Sequence, residues 1–333
     1  MNLKVALLGG GSWGTTVAAL VARNTDVVLW ARNEAAVREI NEQNSNSKYL
    51  PDAKLPKRLR ATTDLREALQ DIDVLVMGIP SQNFREVLVE ASKYVRPWVP
   101  IISLTKGLEQ ATNLRMTEII QQVLPGHPVG VLTGPNLARE IMAGQAAASV
   151  IAMDDRIIVH KLQELFRSGL FRVYSNHDVI GCELGGVLKN VIAIAVGMGD
   201  GQGAGDNTRA ALITRGLAEV SRLGVAMGGC AETFAGLAGM GDMIATCTSA
   251  QSRNRHVGVE LGRGRKIDEI IKEMVMVAEG VKSIPAVIAM ADQYEIDMPI
   301  ARDVYRVVCE GGTAKQAYRG LLRITAGAES EPG

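Results

Sequence analysis

Lys4-Val5-Ala6-Leu7-Leu8-Gly9-Gly10-Gly11-Ser12-Trp13-Gly14-Thr15-Thr16-Val17-Ala18 decides how the rest of the chain is read. An apolar run of strand length, Lys4 to Leu8, meets three glycines and passes into the alanine-rich helical stretch Thr15 to Val21. Gly9, Gly11 and Gly14 fit G-x-G-x-x-G at a strand-to-helix junction, the context in which that spacing has a physical meaning. Such glycines allow a tight turn, let backbone approach a pyrophosphate and let the helix pack on the strand. Free N–H groups and the dipole at the helix start attract phosphate charge. The expectation is a dinucleotide-binding turn, against the plainer reading of an ordinary glycine-rich turn.

Working outward, Leu3 to Leu8, Val27 to Ala31, Val74 to Ile79, Pro100 to Leu104, Gly130 to Thr133 and Ala148 to Met153 read as buried strands. Helical patterns lie between them, and Gln82 to Val95 places Phe84, Val87, Leu88, Ala91 and Val95 on one face. Repeated strand, helix, strand predicts βαβ crossovers and a parallel-rich α/β sheet with helices on both faces. After His177 the rhythm changes to long alanine-, leucine- and valine-rich stretches, Leu184 to Val196 and Arg209 to Leu223. Two domains follow, an α/β domain over 1–177 and a helical one over 178–333, with a frayed tail from Ala326 to Gly333. The glycine clusters Gly197 to Gly205 and Gly224 to Gly241 read as interhelical turns or close backbone contacts.

Composition excludes several classes. Of 333 residues, 47% are hydrophobic and 22% charged, and 36 lysines and arginines balance 36 acids. That leaves no disordered or coiled-coil reading and no net field for nucleic acid or an acidic membrane. The basic stretch Lys54, Lys57, Arg58 and Arg60 has no aromatic platform beside it and reads as a solvated connection. Cys182, Cys230, Cys247 and Cys309 are widely spaced and read as free thiols, and the four histidines show no metal-ligand spacing. No metal is expected. Three glycines interrupt the charge-free run Val5 to Ala22 and only Lys4 precedes it, so a signal peptide is a poorer reading than a cytoplasmic chain without membrane insertion.

The second strand ends Leu29-Trp30-Ala31-Arg32 rather than on an acid, and Glu34 sits late for a ribose hydroxyl. Arg32 can meet a 2′-phosphate bidentately, which favours NADPH over NADH, or be a solvated loop charge. A carbonyl reductase also needs a proton donor and cations for an anionic handle. Lys189 lies in the apolar stretch Glu183 to Ala193, where burial would lower its pKa; the plainer reading is a snorkelling surface lysine. Asp242 is positioned either to balance that lysine or to cap a turn. Ser252-Arg253-Asn254-Arg255 opens a helix and reads as a phosphate clamp or as a solvated cap. Lys106 and the run Gly134-Pro135-Asn136 follow strands, at the sheet edge where open α/β folds bind ligands.

In this order the motifs resemble the bacterial NAD(P)-dependent glycerol-3-phosphate dehydrogenases. The resemblance spans nearly the whole chain, from Gly9 through Pro80-Ser81-Gln82, Leu104-Thr105-Lys106-Gly107, Gly134-Pro135-Asn136-Leu137-Ala138, Leu188-Lys189-Asn190, Gly241-Asp242 and Ser252-Arg253-Asn254 to Val277-Ala278-Glu279-Gly280. It implies a Rossmann domain followed by an all-helical domain, a homodimer, and reversible reduction of dihydroxyacetone phosphate to sn-glycerol 3-phosphate, the phospholipid backbone. It further implies Lys189 as proton-relaying lysine and Lys106 as substrate-binding lysine. Gly134, Asn136, Asp242, Ser252, Arg253 and Asn254 would touch substrate; Ser12, Trp13, Arg32, Lys106, Ala138, Arg253, Val277 and Glu279 would touch the dinucleotide. Bacterial members often carry a hydroxyl residue where Asn136 stands and an aromatic where Leu137 stands. Two other readings remain from the residues alone: a different hydroxyacid dehydrogenase of the same architecture, and a dinucleotide-binding redox sensor without turnover.

Overall fold

Within β1 (Lys4–Leu8), Val5 and Leu7 join one apolar cluster while Ala6 and Leu8 join another, so the strand is buried on both faces. That double burial is why its sequence is a continuous apolar run and not an alternating one. The computed structural model describes residues 3–274 and 278–321, so Val277 and the tail from Ala326 lie outside the described residues. Eight strands form one sheet: β1, β2 (Asp26–Trp30), β3 (Leu59–Thr62), β4 (Val74–Met77), β5 (Ile101–Ser103), β6 (Val129–Thr133), β7 (Ala147–Met153) and β8 (Phe171–Asn176). Their order is β3-β2-β1-β4-β5-β6-β7-β8. All neighbours pair in parallel except β6 and β7, which run antiparallel with Gly130 opposite Met153. The order reverses direction at β1 and β4, and the carboxyl ends of strands at such a reversal are where α/β sheets bind ligands.

The two outermost strands were not among the six expected, and both omissions have one cause. On β8, buried Phe171 and Val173 alternate with exposed Arg172 and Tyr174, and β3 carries exposed Arg60 within the stretch that reads as a solvated connection. Edge strands have one wet face, so they lack the continuous apolar run that marks the central ones. Arg58 remains in the connection, paired with Asp26 at 3.3 Å on the surface. The expected helix over 82–95 forms as Ser81–Ser92, and the first helix starts at Ser12, inside the glycine motif.

The described chain divides into two compact units. The first comprises residues up to Thr105 with Leu114–Val179 and contains the sheet; the second comprises Lys106–Asn113 with residues from Ile180 onward and is helical. Its central helix, Val179–Gly201, is apolar all round, and 89% of its most apolar 18-residue window is buried, which suits the core of a helical domain. Asp206–Ala226, Arg253–Gly262, Glu279–Gln293 and Pro299–Cys309 contribute further residues to that core.

Glycines in this core occur inside helices and not only at turns. A Cβ on Gly197 would stand 2.2 Å from the Arg255 carbonyl oxygen, and one on Gly201 2.3 Å from that of Val259. From the facing helix, Gly258 and Gly262 meet the carbonyls of Ile194 and Met198 in the same way, at 2.1 and 2.5 Å. Two glycine pairs four residues apart therefore let the backbones touch. Gly197→Ala should lower stability by about 1–3 kcal/mol or more, because backbone lies where the methyl must go. Gly205→Ala, with open space around it, should cost less, about 1 kcal/mol or below, as the exchange of a glycine N-cap on Asp206–Ala226. Denaturant unfolding of both variants checks the pair.

Candidate active site

The glycine turn is as tight as its spacing demands. Gly9 adopts φ 123°, and a Cβ there would lie 2.3 Å from the Gly78 carbonyl oxygen; on Gly14 it would lie 2.1 Å from that of Gly9. Gly11 instead faces open space and forms the N-terminal boundary of the helix Ser12–Val21, which has no side-chain cap. An uncapped helix start beside an open glycine is a cradle that the pyrophosphate of a dinucleotide fits. Trp13 packs edge-on against Phe171, with ring centroids 6.4 Å apart, and its buried indole Nε1 has no hydrogen-bond partner.

Arg32 is exposed just beyond β2. Asn33 caps the helix Glu34–Gln43 by accepting from Ala36 N at 2.9 Å, and Glu34 occupies its first turn, where a carboxylate complements the helix dipole. Gly134 follows β6 at φ 129°, close against Ser149, and Ala138 begins the helix Ala138–Met142. Asn136 Nδ2 donates to Ser149 Oγ at 3.2 Å, and its Oδ1 is buried without a partner.

In the helical unit the structure gathers Lys106, Lys189, Asn190, Asp242, Thr246 and Asn254. Asp242 is 2% exposed and Lys189 4%. One oxygen of Asp242, Oδ2, stands 2.6 Å from Lys106 Nζ, while Oδ1 stands 3.3 Å from Lys189 Nζ. Lys189 Nζ also donates to Thr246 Oγ1 at 2.5 Å and to Asn190 Oδ1 at 3.2 Å. Asn190 Nδ2 reaches the Lys106 carbonyl at 3.3 Å, fastening segment 106–113 to the unit. Asp242 is aimed by local irregularity: the π turn Leu237–Gly241 runs directly into the helix Asp242–Thr248 that it begins.

Burial dominates the titration of Lys189 and pulls it from its ordinary value of 10.5 down to about 8; the Asp242 carboxylate opposes this and the Lys106 ammonium reinforces it. Cys247, buried nearby, is pushed up to about 12 by desolvation, so its thiol stays protonated at neutral pH. The group can therefore hold an anion near two ammoniums and exchange a proton at Lys189 close to neutral pH.

The Ser252 run is more committed than its sequence suggests. Ser252 Oγ caps its own helix by accepting from Arg255 N at 3.2 Å, and Arg255 pairs with Asp200 at 2.7 Å. Asn254 is buried; its Nδ2 donates to Asn190 Oδ1 at 2.9 Å and its Oδ1 accepts from Gly280 N at 3.0 Å. Arg253 is the exposed member, with Glu279 as a charged neighbour at the start of Glu279–Gln293. Sequence reasoning passed over Thr246. Its signal is a hydroxyl one helical turn after Asp242, where it also donates to the Asp242 carbonyl at 2.7 Å. Among the described residues no group of three or more histidine, cysteine, aspartate or glutamate side chains is placed to hold a metal ion.

Asp242→Asn would leave two ammoniums facing each other, lowering the Lys189 pKa further and destabilising the fold by up to about 3–5 kcal/mol. The folded pKa of Lys189 lies below the unfolded one, so the unfolded chain binds the extra proton between about 8 and 10.5 and the contribution of Lys189 to stability rises with pH across that window. Because the variant's folded Lys189 pKa lies lower still, its deficit should be largest below that lowered pKa and shrink as pH rises towards 8, with no further change from Lys189 above it, as unfolding curves across that range will show.

Comparison with known proteins bears on this geometry. Residues 4–158 match the model of the NAD-dependent glycerol-3-phosphate dehydrogenase N-terminus and residues 178–319 that of its C-terminus. Over 333 residues, covering 100% of both chains, the sequence is 68% identical to glycerol-3-phosphate dehydrogenase NAD(P)+ 2 of Sphingopyxis alaskensis. It is 56% identical to glycerol-3-phosphate dehydrogenase NAD(P)+ 1 of Mycobacterium tuberculosis, over 98% of this chain and 96% of that one. The crystal structure of glycerol-3-phosphate dehydrogenase from Coxiella burnetii superposes with TM-score 0.92 at 38% identity, covering 97% of this chain and 99% of the other. With both halves matched and relatives this similar along their full length, the chain belongs to the NAD-dependent glycerol-3-phosphate dehydrogenase family.

Proposed function

We propose that this protein catalyses the reversible NAD(P)H-dependent reduction of dihydroxyacetone phosphate to sn-glycerol 3-phosphate, supplying the glycerophospholipid backbone. The observation that carries the reading is the Asp242 carboxylate held between Lys106 and Lys189, with Lys189 buried and titrating near 8. A buried lysine with that pKa is matched to give a proton to a developing alkoxide and to take it back in reverse.

The roles divide as follows. Residues 1–177 form the dinucleotide-binding domain and 178–333 the substrate-binding catalytic domain, with segment 106–113 contributing Lys106 to the latter. Gly9, Gly11, Ser12, Trp13 and Gly14 hold the dinucleotide phosphates, and Arg32 meets a 2′-phosphate, which favours NADPH while NADH remains usable. Lys106, Ala138, Arg253, Val277 and Glu279 complete the dinucleotide contacts. When bound, the nicotinamide supplies the hydride in reduction and accepts it in oxidation. Lys189 protonates the substrate oxygen, Lys106 polarises the carbonyl, and Asp242 restrains and balances both lysines. Gly134 and Asn136 are further substrate-binding residues, and Arg253 takes the phosphate, aided by Ser252, whose hydroxyl proton its capping bond leaves for donation, and by Asn254. No metal enters this scheme. The free thiols suit a reducing, cytoplasmic compartment, and a homodimer is proposed on family resemblance.

Purified protein should oxidise NADPH when given dihydroxyacetone phosphate, read as loss of nicotinamide absorbance. Lys189→Ala should depress turnover by about 100- to 10,000-fold while leaving NADPH binding near wild type. Nucleotide binding without turnover, or activity confined to carboxylated hydroxyacids, would overturn the proposal. Arg32→Ser should cut the ratio of kcat/KM for NADPH over NADH by about tenfold or more, the effect of losing a charge-assisted contact worth roughly 1.5–3 kcal/mol. An unchanged ratio would return Arg32 to the solvent.

A further inference from the structure

Asn46 is fully buried although it lies on the connection between the helix Glu34–Gln43 and β3. Asn44 closes that helix in the left-handed region at φ 51°, and its carbonyl accepts from Leu55 N at 2.8 Å. The chain then folds back on itself, with Tyr49 N and Leu50 N both donating to the Asn46 carbonyl. On the outer side Glu39 fastens the same turn, accepting from Ser45 Oγ at 2.9 Å, Ser47 N at 2.7 Å and Ser47 Oγ at 3.1 Å.

On the inner side the Asn46 amide reaches the glycine turn. Its Nδ2 donates to the Gly10 carbonyl at 3.0 Å and to Thr15 Oγ1 at 2.9 Å. A carbonyl can only accept, so Gly10 fixes which end of the amide faces the turn. The two acceptors bracket the uncapped helix start: Gly10 precedes Gly11, and Thr15 N donates to the Gly11 carbonyl as the first bond of the helix. The far end of the amide, Oδ1, is buried with no hydrogen-bond partner. That orphaned acceptor weakens the folded state, whereas the two donors meet the Gly10 carbonyl and Thr15 Oγ1, which an apolar side chain would leave unmet. What the amide alone supplies is a pair of donors directed at the turn.

We infer that Asn46 is a positioning residue for dinucleotide binding. It holds the Gly10 carbonyl oxygen inward, away from an incoming anion, so that the N–H groups of the helix start are presented to the phosphates. The inference rests on reading the glycine turn as the dinucleotide site, and it adds a residue 36 positions away from Gly10 to that site.

The test is titration of NADPH onto purified wild type, Asn46→Leu and Thr15→Val, followed by nicotinamide fluorescence, with thermal melts in the absence of nucleotide and steady-state kinetics alongside. Asn46→Leu should raise the NADPH Kd by about tenfold. Thr15→Val should raise it by a smaller factor in the same direction. The kcat at saturating NADPH and dihydroxyacetone phosphate should stay within about twofold, because an effect on nucleotide binding alone is relieved by saturation. An unchanged Kd in both variants, or Kd, kcat and melting temperature moving together as loss of loop closure would move them, overturns the inference while leaving the family activity intact. If Asn46→Leu fails to fold, Thr15→Val decides by the same criterion. Wild type that does not bind NADPH overturns the dinucleotide reading and this inference with it.

Discussion

A carboxylate as buried as Asp242 is tolerable in an apolar core only when its charge is met at close range, and both of its oxygens are met by ammoniums. Several other features of the helical unit serve that arrangement. The π turn Leu237–Gly241 delivers the carboxylate, Thr246 one turn on accepts from Lys189, and Asn190 ties the Lys106 backbone to the helix bearing Lys189. Asn254 then holds Asn190 and the first turn of Glu279–Gln293 together. The result is a network in which most polar atoms already have partners, so the lysines are held before any substrate arrives. Such preorganisation is what allows electrostatic stabilisation without reorganisation during reaction.

Close backbone approach is the second constraint, and it operates in both units through glycine. In the first unit Gly9 and Gly14 remove the methyls that would collide with Gly78 and with Gly9 itself, which brings the helix start down onto β1. In the second, Gly197 and Gly201 meet Gly258 and Gly262, and the helix that carries Lys189 is thereby pressed against the helix that carries Arg253 and Asn254. Both contacts position functional groups by shortening the distance between backbones, not by adding side-chain interactions.

What could be read in the residues beforehand follows from the range of each signal. The glycine turn was legible because its strand, its spacing and its helix are contiguous in sequence. Lys189 was legible as an anomaly, a charge set in an otherwise apolar helix. Asp242 was only a candidate, since nothing in Gly241-Asp242 states that Lys106, 136 residues away, will face one oxygen. Segment 106–113 belongs to the helical unit although it follows β5 directly, a return excursion with no compositional mark. Strands β3 and β8 escaped because an edge strand with a wet face resembles a polar loop. Asn46 escaped because a single amide in a polar connection carries no pattern; its meaning lies entirely in what it touches. The run from Ser252 reads as a phosphate clamp or as a cap, and of these the structure shows the cap, with Ser252 Oγ accepting from Arg255 N.

In the proposed reaction Lys189 exchanges the substrate proton while Asp242 and Lys106 set its charge. The most direct test is the pH dependence of kcat measured in both directions on the same wild-type protein. Ketone reduction, which needs the ammonium form, should fall as pH rises through about 8, and alcohol oxidation, which needs the free amine, should rise over the same range. Two profiles that are flat there, or that move in the same direction, would contradict the account.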